Sequence, residues 1–159
     1  MSPDEAFTHI NEKGQAHMVD VSDREISTRT ATASGKVLLS KTVIAMLQGG
    51  GVPKGDVLAT ARLAGIMGAK RTPELIPLAH PIALHSVSVD LNIMDDGVTI
   101  ESQVRTADRT GVEMEALTAV SISALTIIDM VKSLDPGATI TDIHVDSKDG
   151  GRNGAWKRK

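Results

Sequence analysis

The chain has 159 residues, 41% of them hydrophobic, with 17 basic against 20 acidic side chains and a formal charge of −3. That size and composition fit one folded domain and exclude a disordered chain. The charge balance, with Phe7 and Trp156 as the only aromatics, excludes a nucleic-acid binder built on a basic surface or on stacking platforms, and the lack of cysteine excludes disulfides, thiolate metal sites and a cysteine nucleophile together.

Residues 1–16 are polar and aperiodic and are expected to form a flexible arm ahead of a single domain over 17–159. Asp4, Glu5 and Glu12 make this stretch unlike a secretory leader, and the uncharged segment of most interest, 116–128, is too short to cross a bilayer. A cytoplasmic protein with no membrane partner is expected. Residues 27–39, with β-branched side chains at Thr28, Thr30, Thr32 and Val37, predict a strand. Ser40 is placed to cap a short helix stopped by Gly49-Gly50-Gly51, and Asp56 to cap a second helix running to about Lys70. Pro73, Pro77 and Pro81 then exclude a long regular element.

Val87, Val89, Leu91 and Ile93 alternate with polar residues, Asp95-Asp96-Gly97 supplies a tight turn, and 98–107 returns as the partner strand. A helix follows over about 111–134, ended by Asp135-Pro136-Gly137, and 139–145 alternates as a last strand. The order βαββαβ predicts an α+β protein, an antiparallel sheet with helices packed on one face. Between Glu115 and Asp129 the long helix carries thirteen uncharged residues. A helix covering one sheet normally keeps a charged outer face, so a second subunit is expected against this one.

Several groups are candidates for chemistry. Glu113 and Glu115 open the long helix, where carboxylates complement the macrodipole; spaced two apart they point about 200° from one another and cannot form an acid/base pair at one atom. Asp129 and Lys132, three apart, share one side of the helix and read either as a surface ion pair or as an acid/base couple emerging from an apolar stretch. Lys54, at a glycine-flanked helix start, and Lys148, in the glycine-rich basic segment 148–154, together with Arg29 on the first strand, suit a polyphosphate; the segment lacks P-loop spacing. His80 sits in a proline-stiffened loop, and with His85 it shows no metal-ligand spacing, so no metal site is expected.

Met18-Val19-Asp20-Val21-Ser22, Lys54-Gly55-Asp56-Val57, Ala59-Thr60-Ala61-Arg62, Leu75-Ile76-Pro77-Leu78, His80-Pro81, residues 110–117 (TGVEMEAL) and Asp129-Met130 stand together in one order. In these segments, and over about 9–156, the chain resembles the cyclic pyranopterin monophosphate synthase (MoaC) family of molybdenum-cofactor biosynthesis. The resemblance implies a ferredoxin-like fold and a homohexamer built as a trimer of dimers with the active site near the dimer contact. The reaction it implies converts 3′,8-cyclo-7,8-dihydroguanosine 5′-triphosphate to cyclic pyranopterin monophosphate and pyrophosphate with no cofactor. Carried over by motif, Asp129 is the active-site residue; Leu78, Ala79, His80, Met114 and Glu115 line the substrate site, with Glu113 and Lys132 beside it. Lys54 joins Asp129 and Lys132 as catalytic, and Arg29 and Lys148 are candidates for the phosphates. The chain departs from the family pattern at Ala79 (usually Cys), at Ile128 (usually Tyr) and at Gly150-Gly151-Arg152-Asn153-Gly154 (usually Gly-Gly-Lys-Ser-Gly). A thiol at position 79 is therefore not required. A non-catalytic nucleotide-binding module of the same fold is the competing class.

Overall fold

A computed structural model describes residues 7–50 and 56–159. The elements follow as β1 (Ser27–Leu38), α1 (Lys41–Gln48), α2 (Val57–Lys70), α3 (Thr72–Leu75), β2 (Ser86–Met94), β3 (Gly97–Asp108), α4 (Glu113–Val131), β4 (Thr139–Asp149) and β5 (Trp156–Lys157). The sheet order is β2-β3-β1-β4-β5 with every pairing antiparallel, so the first four strands take the ferredoxin-like arrangement. The two-residue β5 at the edge and the one-turn α3, which begins beside Pro73, are additions to the expected pattern.

Local chemistry sets the ends of these elements. Ser40 Oγ accepts from the Val43 N–H at 3.4 Å, and Asp56 Oδ1 from the Ala59 N–H at 2.8 Å, so both helices start on the expected caps. Gly97, at φ +155, closes the β2–β3 hairpin where a Cβ would overlap the Val37 carbonyl. The core lies between the sheet and α4: Val37, Ile100, Val104, Val120 and Ile127 are all fully buried.

α4 meets the sheet on one side and α2 on another. Gly65 and Gly68 of α2 let the two helices close: a Cβ at Gly68 would stand 2.7 Å from Ile122 Cγ1, and one at Gly65 would overlap Ser123 Oγ. Ser123 Oγ instead donates to the Ala61 carbonyl at 2.9 Å. Part of the cover expected from a second subunit is thus supplied by α2. Met114 and Leu125 remain 39% and 54% exposed, leaving an apolar stripe on the outer face of α4. With nineteen residues α4 has the length and hydropathy of a bilayer span, longer than the uncharged run alone implies, yet ten of its residues are buried in the protein core.

β4 runs four residues beyond the expected end. Its pairing with β1 slips by one residue between Thr32 and Ala33 and again between Ser34 and Lys36, so its alternation is broken twice. These bulges put Lys148 opposite Ala31, whose side chain faces the helices. Lys148 therefore rises from the same face of the sheet as α4.

Candidate active site

Arg29, two residues before Ala31 on β1, lies on that same face. Its Nη2 donates to the Arg109 carbonyl at 3.2 Å, and Arg109 Nε donates in turn to the Arg24 carbonyl at 2.9 Å. The start of β1, the end of β3 and the loop before β1 are thereby tied together. Lys148 Nζ lies 3.0 Å from Glu113 Oε1, joining the end of β4 to the first turn of α4. Among the described residues no side chain caps α4, and the Glu113 carboxylate supplies negative charge that its first turn favours.

Beside this cluster is a cleft of about 340 Å³. One wall is Leu78, Ala79 and His80; another is Glu113, Met114 and Glu115. His80 Nε2 donates to the Val19 carbonyl at 2.6 Å, which fixes the proton on that nitrogen because a carbonyl can only accept. Glu115 is buried at 3% exposure, and burial is the main cause that pushes its carboxyl up to about 7, with the nearby Glu113 charge adding to it and its own backbone N–H opposing. A carboxyl held there exchanges protons at neutral pH.

The remaining candidates lie elsewhere. Asp129 Oδ1 accepts from Lys132 Nζ at 2.6 Å, forming the expected i,i+3 pair, but the two side chains are 64% and 60% exposed. Within a single chain the pair is therefore solvated, as the surface-pair reading has it. The pair sits at the C-terminal end of α4, sixteen residues and about 24 Å along the axis from Glu113. Lys54 lies outside the described residues. Residues 7–16 fold back through an antiparallel bridge between Ile10 and Ala16, and Thr8 and His9 reach the cleft.

Sequence reasoning passed over Arg24, Val19, Thr110 and Gly111 as lining residues. Thr110 and Gly111 belong to the TGVEMEAL motif and were within reach; Arg24, in an aperiodic polar stretch, carried no signal. A larger hollow of about 430 Å³ lies on the opposite, helix-free face of the sheet, but its charged lining is Asp90, Glu101 and Asp146. Three carboxylates with no cation do not suit a phosphate ligand.

The topology defines a ferredoxin-like α+β protein, with a cleft walled by the 78–80 loop and the first turn of α4 at one end of its sheet. The chain belongs to the MoaC family, whose sequence profile matches residues 18–151. It is 60% identical to a cyclic pyranopterin monophosphate synthase of Streptomyces coelicolor over 156 residues, 98% of this chain and 92% of the relative. A protein of the same name from Nocardioides is 59% identical, covering 96% of this chain and 95% of its own length. Cyclic pyranopterin monophosphate synthase 2 of Mycobacterium tuberculosis is 55% identical, with 96% and 92% covered.

Proposed function

We propose that this chain is a cyclic pyranopterin monophosphate synthase, a phosphorus–oxygen lyase acting in molybdenum-cofactor biosynthesis in the cytoplasm. It takes 3′,8-cyclo-7,8-dihydroguanosine 5′-triphosphate, rearranges the guanine-derived ring and closes a cyclic phosphate. In the closure a sugar hydroxyl forms a bond to the α-phosphorus, the α–β bridging P–O bond breaks, pyrophosphate leaves and the hydroxyl proton passes to a base. The observation that carries this reading is the gathering of Arg29 and Lys148 beside a cleft walled by His80, Glu113 and Glu115. Cations neutralise the charge that grows on departing pyrophosphate, and the Glu115 carboxyl, held near 7, serves the ring rearrangement.

Asp129 and Lys132 are the proposed acid/base couple, and their distance from Glu113 along a rigid helix supports a site shared between chains. A second copy would bring the C-terminal end of its α4 to this cleft, within a hexamer arranged as a trimer of dimers. Lys54 is proposed as a further phosphate ligand; Lys54→Ala should weaken binding of the triphosphate while leaving a phosphate-free analogue unaffected.

Incubation with the cyclic triphosphate tests the activity: pyrophosphate release is expected, whereas binding without release would identify a nucleotide-binding module instead. Subunit mixing tests the shared site. Lys148→Ala and Asp129→Asn should each be inactive alone and recover turnover after exchange, since a mixed dimer collects both defects in one site and frees the other. Mixtures that have exchanged by mass measurement and stay inactive would overturn the shared site for this pair.

A further inference from the structure

Among the described residues the Arg29 guanidinium has a single hydrogen bond, Nη2 to the Arg109 carbonyl, while its Nε is buried and makes none. One bond to one terminal nitrogen leaves a planar fork free to pivot, so its orientation must come from shape. That shape is supplied by the turn after β4. Gly150 and Gly151 both have left-handed backbones, φ +92 and +80. A Cβ on Gly150 would overlap the Thr28 carbonyl, so the turn lies flat against the start of β1. A Cβ on Gly151 would stand 2.7 Å from Arg29 Cζ and overlap Nη1. The guanidinium thus lies where the side chain of residue 151 would otherwise be.

We propose that Gly151 is a positioning residue: its missing side chain forms the slot that holds the Arg29 guanidinium between the turn and the Arg109 carbonyl, aimed at an anion of the polyphosphate kind. This rests on the reading of Arg29 as part of the phosphate end of the site. Gly151 itself touches no reacting atom; it acts through Arg29. Any larger residue pushes the fork out of its slot and costs the oriented, charge-assisted contacts that a guanidinium makes with phosphate oxygens.

The test titrates pyrophosphate calorimetrically into the full-length protein and its variants, with thermal melting alongside. Arg29→Ala should weaken pyrophosphate binding about tenfold. Gly151→Ala should match that loss within about twofold, and the Arg29→Ala/Gly151→Ala double variant should bind no more weakly than Arg29→Ala alone. Gly151→Asn carries the same Cβ on a residue that tolerates a left-handed backbone, so it should show the same loss with a smaller drop in Tm. Glycine variants that melt lower yet bind pyrophosphate normally would overturn the proposal, and so would losses that multiply in the double variant. Unchanged pyrophosphate binding by Arg29→Ala would instead remove Arg29 from the phosphate site, and the proposal would fall with that reading.

Discussion

Replacing Glu115 by glutamine should make the protein more stable at pH 8 and leave it nearly unchanged at pH 4.5. Burial raises this carboxyl from 4.5 to about 7, so the folded chain holds its proton more tightly than the unfolded chain does. Between those two values the unfolded state loses the proton first, and stability falls as the pH rises. The contribution is fully present below about pH 4.5 and lost above about pH 7. A gap of about 2.5 units at ~1.36 kcal/mol each amounts to about 3 kcal/mol. Glutamine keeps the shape and cannot ionise, and all other titrating groups are common to both proteins, so they cancel in the difference. Urea unfolding of the two proteins at matched concentration from pH 4.5 to 8.5 measures it. The advantage of Glu115→Gln should grow by about 3 kcal/mol across the window and then level off. A flat difference, or wild type gaining on the variant as the pH rises, would refute the assignment of a raised carboxyl to this position.

Asp129→Asn and Lys132→Ala should each lower turnover by about 10²–10⁴-fold, measured as pyrophosphate release, with Tm nearly unchanged because both side chains are exposed. Gly65→Ala should destabilise by about 1–3 kcal/mol in urea, since the added methyl would overlap Ser123 Oγ and stand 2.8 Å from the Ala119 carbonyl oxygen. Asp56→Ala removes the bond from the Ala59 N–H and should cost about 1 kcal/mol by the same assay.

Caps and alternation made much of the fold readable from residues alone. Ser40 and Asp56 stand where α1 and α2 begin, and the 87/89/91/93 alternation with Asp95-Asp96-Gly97 is the β2–β3 hairpin. The expected last strand stopped at Val145 because the bulges break the period of two that such reading depends on; β4 continues to Asp149 on pairing with β1. β5 is too short to carry any period at all. The site divided in the same way. His80, Glu113, Met114 and Glu115, carried over by motif, meet in one cleft. Asp129 and Lys132 were correctly paired with each other, but their distance from that cleft follows from the helix's rise per residue over an unbroken run of nineteen residues. The burial of Glu115 was not foreseeable, since two acidic residues in a first turn look alike until the folded chain buries one of them.

α4 also constrains how this chain can change over time. Inserting or deleting one residue within it would turn everything downstream by about 100° and shift it by about 1.5 Å. Asp129 and Lys132 would then leave their side of the helix while the buried positions after the change rotated out of register with α2. Substitution within the helix is open wherever volume is kept, whereas its residue count between Glu115 and Asp129 is not. Length variation among descendants of this chain should therefore collect in the connections, such as the turn after Leu134 and the stretch before Ser27, and be missing from this helix.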